Sequence, residues 1–193
     1  GATNLTALIV EHGLRPESAQ EAQTVAERLS VMGIEAHILP WHHDGIDNRV
    51  HVRARAARYR LLLDACKARG IAKLFLAHHA DDQAETILMR FAKGSGIDGL
   101  AGMEAVKEVE GVQLIRPFLS LPKTRLIATC AAHAIPFVTD PSNVVDKYAR
   151  GRLRRVMPLL EEEGFTRERL LDLSERAREA RDALDFYTLA FLQ

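Results

Sequence analysis

Short apolar runs rich in β-formers alternate along this chain with longer stretches of helical period, and that alternation leaves few folds open. It is the pattern of a parallel sheet covered by helices, an α/β architecture. "LTALIVEHG" (5 to 13) reads as a strand running into a glycine turn, and "ESAQEAQTVAERLSVMG" (17 to 33) as a helix with Ala22, Val25, Ala26 and Leu29 on one face. "EAHILPW" is a second strand, followed by a helix over about 47 to 69 with Val50, Ala54, Ala57 and Leu61 inward, ending at Gly70. "IAKLFLAHH" is a third strand, "DQAETILMRFAKG" a helix and "VQLIRPF" a fourth strand. "KTRLIATCAAHA" then reads as a helix and "IPFVTDPSN" as a short strand entering a loop. No internal repeat or low-complexity segment occurs.

At 193 residues and 47% apolar content the chain can bury one sizeable core. The 26 basic residues balance 26 acidic ones, so net charge makes no case for nucleic acid and any basic patch must be local. Cys66 and Cys130 form no CxxC, which disfavours a zinc knuckle, an iron–sulfur site or a disulfide framework and fits a reducing, cytoplasmic setting. No apolar run approaches the roughly 20 residues that span a bilayer, and no signal pattern opens the chain, so a soluble protein with no membrane partner is expected. From Leu170 the spacing changes: Leu170, Leu173, Ala177, Ala180, Leu184, Tyr187 and Phe191 form a heptad-like stripe. Residues 166–193 therefore read as a C-terminal amphipathic helix, either the last of the domain or a connector to another, after a main domain over 1–165.

"LAHHADDQAET" (76 to 86) crowds His78, His79, Asp81, Asp82 and Glu85 at the end of the third strand. Asp82 and Glu85 alone could be a capping box, with Asp82 as N-cap and Glu85 at N3. That leaves the histidines and Asp81 unexplained, and open α/β sheets place ligands beyond the carboxyl ends of their strands. Carboxylates there can hold Mg²⁺ or receive a cationic amine, and a histidine can move a proton near neutral pH. Joint metal binding by His78 and His79 is disfavoured because successive strand side chains point to opposite faces. One helix later, "KGSGIDGLAGM" (93 to 103) is glycine-rich, as a mobile loop or as backbone that approaches a nucleotide. Two local arginine groups follow the same logic: "NRVHVRARAARYR" (48 to 60) and "YARGRLRRVMP" (148 to 158) are solvated helix faces or phosphate-binding surfaces.

The series "VEHGLR", "NRVHVRARAARYR", "LAHHADDQAETILMRFAKGSGIDGLAGM", "IRPF" with Lys123, and "DPSNVVDKYARGRLRRVMP" resembles, in order and over most of residues 5 to 158, the N-terminal domain of the tRNA(Ile)-lysidine synthetases. That family is similar to the N-type ATP pyrophosphatases, adenine nucleotide alpha hydrolase-like proteins with a doubly wound, mostly parallel sheet that binds ATP at its carboxyl edge. The resemblance implies an ATP-dependent ligase acting on isoleucine tRNA: ATP adenylates the C2 oxygen of the wobble cytidine with loss of pyrophosphate, and the lysine ε-amine then displaces AMP. It implies Asp82 and Glu85 as receptors of the lysine substrate, and His78 in positioning or proton transfer. Asp81 is left as a structural or metal-linked carboxylate. His12, Gly13, Arg15, Gly94, Ser95 and Gly96 would border the nucleotide. Arg55, Arg58, Arg150 and Arg154 would contact ATP phosphate or tRNA, with Mg²⁺ accompanying ATP.

Three departures stand against the family pattern. Glu11 replaces the usual aspartate, and Gly151 the usual asparagine. The SGGxDS pyrophosphate-binding loop is absent, and is expected on a strand just upstream of residue 1 that would lie between "LTALIV" and "KLFLAH". Without it the chain is expected to bind ATP poorly, and the gap to be filled by a segment of another chain, by an end-to-end homodimer, or by direct pairing of the two flanking strands. Two rival functions remain: an ATP-dependent tRNA thiolase of the same superfamily, which would need reactive cysteines, and a non-catalytic RNA-binding module.

Overall fold

A computed structural model describes residues 5–43, 50–137 and 149–192, without the side chains of residues 50, 51, 149 and 150. The helix α1 (Ser18–Val31) carries the chain from β1 (Thr6–Glu11) back to the start of β2 (Glu35–Pro40). The two strands therefore pair in parallel, with Thr6 opposite Glu35 and Glu11 opposite Pro40. Further along lie α2 (Val50–Ala68), β3 (Lys73–Phe75), α3 (Ala80–Phe91), α4 (Ile97–Leu100), β4 (Val106–Val109), β5 (Val112–Ile115), α5 (Lys123–Ala132), α6 (Ala149–Glu162) and α7 (Arg167–Phe191). The chain divides into two compact units: Gly1–Leu74 with Glu108–Gln113, and Phe75–Lys107 with Leu114–Gln193.

The second sheet has the order β3-β5-β4. Its β3–β5 ladder advances in the same sense along both segments, from Gln113 N–H on Ala72 to Leu76 N–H on Ile115, and a parallel bridge joins His79 to Phe118. Two residues separate β4 from β5, Glu110 and Gly111, both at positive φ (54° and 81°), so these strands turn back on each other as a hairpin. β4 was not legible in the sequence, because "VKEV" is half charged and mostly exposed.

Several expectations are corrected. Direct pairing of β1 with β3 is absent: among the described residues the two belong to separate sheets, and β3 offers only three ladder residues to reward such a pairing. Val25 on α1 is exposed, and α2 buries Ala54, Leu62, Leu63, Ala65 and Cys66 rather than Leu61. The strand expected at 135 to 143 is not formed by Ile135, Pro136 and Phe137, and the rest lies outside the described residues. On α7 the buried face is Leu170, Ser174 and Ala177, whereas Leu173, Leu184, Tyr187 and Phe191 are exposed. A serine is admitted there because its hydroxyl donates to the Ala101 carbonyl at 2.8 Å.

The core of the second unit forms where α3, α6 and α7 meet. Ala84, Ile87, Leu88 and Leu170 are buried together, with Leu100, Leu153, Met157 and Leu160 packed on them. The first unit is thinner. Every residue of β1 is half-buried, and the interior is made by α2, by Ala22 of α1, and by Leu74 and Val112.

Candidate functional site

The parallel bridge at His79 holds that residue extended (φ −122°, ψ 179°), and helix α3 starts at the next residue. His79 is consequently the N-cap. Its Nδ1 accepts the Asp82 N–H at 3.4 Å, and Asp82 Oδ2 accepts the His79 N–H at 3.1 Å, a reciprocal box that satisfies two amides at the helix end. The box expected with Asp82 as cap and Glu85 at N3 is thus displaced by three residues, because the bridge fixes where the helix can begin. Glu85 is released from capping, and one turn along the same helix face from Asp82 it points inward.

Each carboxylate of the cluster has a different partner. Asp81 Oδ2 accepts the Lys123 N–H at 2.8 Å and Oδ1 accepts Arg167 Nη1 at 3.3 Å, tying the first residues of α5 and α7 to α3. Burial pushes the Asp81 carboxyl up, but the Lys123 amide, the Arg167 charge and His79 together hold it below its ordinary value. Asp81 is therefore a structural tie. Glu85, whose side chain is 7% exposed, takes the fork of Arg154: Nε lies 2.5 Å from Oε1 and Nη2 3.3 Å from Oε2. That hydrogen bonding outweighs burial and, with the charges of Glu85, Asp82 and Asp81, raises the Arg154 pKa above its ordinary value. His78 is half-buried, one residue ahead of the cap. Arg150 falls in the first turn of α6 and its side chain lies outside the described residues.

Much of the glycine-rich segment is pinned from beneath. Arg90 Nη1 donates to the carbonyls of Gly99 (3.0 Å) and Gly102 (2.8 Å). The Gln83 amide both donates to the Met103 carbonyl (3.0 Å) and accepts its N–H (2.8 Å). Gly102 has φ +70°, and a Cβ there would lie 2.6 Å from Gln83 Nε2 and 2.9 Å from Ser174 Oγ. Packing thus demands glycine at 102. A Cβ at Gly99 would likewise lie 2.3 Å from that of Ser95, whereas Gly96 faces open space. Gln83, Arg90 and Ser174 escaped the sequence reading; the available signal was a glutamine on the apolar face of α3.

In the first unit, the end of β1 is shaped by Glu11, whose carboxylate accepts the Gly13 N–H at 2.6 Å and the Ser18 hydroxyl. These bonds, the hydroxyl's first, hold the Glu11 carboxyl below its ordinary value against burial. The longer side chain at this position closes the turn into α1. His12, next in sequence, is held below the ordinary histidine value by burial and then by Arg58, with Glu11 opposing. Its ring meets Trp41 edge-on at 6.3 Å, and Trp41 lies 4.4 Å from His43, whose Nε2 is 3.2 Å from the His12 carbonyl oxygen. Arg15 pairs with Glu21 at 2.7 Å, and Arg55 packs over the Tyr59 ring 5.0 Å from its centroid. The structure therefore gathers His12, Gly13 and Arg58 at one strand end, and Asp82, Glu85 and Arg154 at the head of α3.

Parallel strands joined by covering helices, with ionisable groups gathered at strand ends, define an α/β protein of nucleotide-binding architecture. More narrowly, the chain belongs to the PP-loop domain family, whose model matches residues 1–160. It is 52% identical over 190 residues to a tRNA(Ile)-lysidine synthase of Methylobacterium nodulans, covering 95% of this chain and 56% of that protein. It is 50% identical over 175 residues to that of Methylobacterium sp. strain 4-46 (91% and 51% covered), and 46% over 184 residues to that of Rhodopseudomonas palustris (95% and 53%). The chain spans about half the length of these curated relatives. Among solved structures, a U34-tRNA thiolase of Methanococcus maripaludis, NcsA, with its 4Fe–4S cluster, matches with a TM-score of 0.72 at 18% identity, over 91% of this chain and 62% of that one. At that identity the likeness is one of fold, and it agrees with the α/β class read from the sequence.

Proposed function

We propose that the protein is an ATP-dependent ligase that joins lysine to C2 of the wobble cytidine of an isoleucine tRNA. The observation that carries this reading is Glu85, a buried carboxylate holding a cation at the head of the helix that follows a sheet strand. The named relatives at 46% to 52% identity support it. In this reading Asp82 and Glu85, on one face of α3, receive the lysine ammonium, and His78 takes the proton that the ε-amine must lose as it attacks C2. His12, Gly13, Arg15, Gly94, Ser95 and Gly96 border ATP, and Arg55, Arg58, Arg150 and Arg154 contact phosphates of ATP or tRNA.

Among the described residues no three His, Cys, Asp or Glu side chains converge on a metal site. The Asp81 oxygens are engaged by Lys123 and Arg167, and Glu11 by Gly13 and Ser18, so these carboxylates do not fit Mg²⁺. Mg²⁺ entering with ATP would be held by phosphate oxygens and water. No helix among the described residues is long and apolar enough to cross a membrane; a cytoplasmic protein is proposed, able to form a homodimer. Residues 1–165 would be the catalytic domain and 166–193 a connecting helix. Sulfur chemistry is the weaker reading because Cys66 is fully buried and burial pushes its thiol pKa up.

ATP–pyrophosphate exchange and lysidine formation, measured with unmodified isoleucine tRNA and lysine, test the reading. Glu85→Gln and Asp82→Asn should each lower lysidine formation by roughly 10²-fold or more with the fold retained. Were both variants to turn over normally, the assignment would be wrong.

A further inference from the structure

Glu85 and Arg154 form an ion pair at the head of α3. Both oxygens of Glu85 are engaged by a guanidinium from a helix 69 residues away in sequence, at a side chain only 7% exposed. Enclosing a carboxylate to this degree is costly without a partner for its oxygens, and Arg154 supplies one. Yet the function proposed above brings a second cation, the lysine ammonium, to the same carboxylate. Two cations on one buried carboxylate would repel strongly in so enclosed a place. One must leave, and Arg154 is the one that can: its side chain is 34% exposed, it stands in a run with Arg152 and Arg155, and its fork fits phosphoryl oxygens as well as it fits a carboxylate.

We propose that Arg154 is a positioning residue that occupies the amine receptor in the substrate-free protein and is drawn off Glu85 by phosphoryl oxygens, so that phosphate binding and cationic amino acid binding reinforce each other. The proposal rests on the reading of Glu85 as the lysine receptor. Exchange of partners moves a charge without making or breaking a covalent bond, and linkage makes it reciprocal: whatever phosphate does for lysine affinity, lysine does for phosphate affinity. A receptor closed about nine-tenths of the time shows an apparent affinity about tenfold weaker than the open one.

Lysine binding is measured calorimetrically on wild type, Arg154→Ala, Arg154→Lys and Glu85→Gln, each alone, with α,β-methylene-ATP, and with unmodified isoleucine tRNA. Wild type should bind lysine about tenfold tighter when a phosphate ligand is present. Arg154→Ala should have that gain without any phosphate ligand and show no further increase. Arg154→Lys, a point charge without the fork, should fall between and serves if the alanine variant does not fold. In turnover, Arg154→Ala should lower the KM for lysine even where kcat falls, a split that a merely structural loss does not produce. A gain with the ATP analogue alone identifies the nucleotide as the source of the phosphoryl oxygens, and one with tRNA alone the RNA backbone. Folded Arg154 variants that bind lysine no tighter than wild type, while Glu85→Gln loses it, would overturn the latch and leave the receptor standing. Glu85→Gln binding lysine like wild type would overturn the receptor, and the latch with it.

Discussion

The head of α3 and the end of β1 both gather ionisable groups after a strand, but they are built differently. At the end of β1, Glu11 is satisfied two and seven residues away, by Gly13 and Ser18, and the rings of His12, Trp41 and His43 come from two adjacent strand ends. At the head of α3 the partners lie 42, 69 and 86 residues away: Lys123 on Asp81, Arg154 on Glu85 and Arg167 on Asp81. A local turn contributes little to global stability because little else depends on it. Long-range ties are formed only when several helices are already docked, so their loss weakens that docking. In the second unit α3 buries Ile87 completely, whereas in the first unit the strand β1 is only half-buried throughout.

The sharpest way to break this comparison is to cut one large side chain from each unit. Ile87→Ala should destabilise by about 3–4 kcal/mol, and Ile9→Ala in β1 by about 1–2, as read from urea midpoints. Equal losses would mean that β1 is packed as tightly as α3. Next, Gly102→Ala introduces both an unfavourable positive φ and a contact with the Gln83 amide, and should cost about 2 kcal/mol, whereas Gly96→Ala, facing open space at ordinary φ, should be within about 0.5. Asp81→Asn should cost about 1 kcal/mol at neutral pH, a figure kept small because the carboxylate is partly exposed. Its folded pKa is depressed, so its contribution is present above the ordinary carboxylate value of 3.8 and is lost as pH falls through the lower folded value; the asparagine variant should lack that part of the acid decline. Smallest of all, Glu11→Gln should change stability by about 0.5 kcal/mol, with the same sign in acid, since it loosens only the turn into α1. A Glu11 effect as large as that of Asp81 would erase the distinction between local and long-range ties.

The alternation of apolar runs and helical periods determined the α/β class, the order of β1, α1, β2, α2, β3 and α3, and helices that stop just before Gly33 and Gly70, because these depend on spacing within a dozen residues. The residues of the acidic cluster were also legible, since so many carboxylates and histidines after one apolar run have few bland explanations. What each of them does was not. His79 caps α3 only because a bridge to Phe118 holds it extended. Asp81 becomes a tie only because α5 and α7 begin beside it. Arg154, read from sequence as a contact for ATP phosphate or tRNA, grips Glu85 across 69 residues, a partner that no spacing announced. The buried stripe of α7 includes Ser174 because its hydroxyl finds an acceptor in the Ala101 carbonyl, on a segment more than seventy residues away. Spacing reports which residues share a face, but a polar group's partner is chosen by burial and geometry among segments far apart in the chain, and only the tertiary structure brings those together.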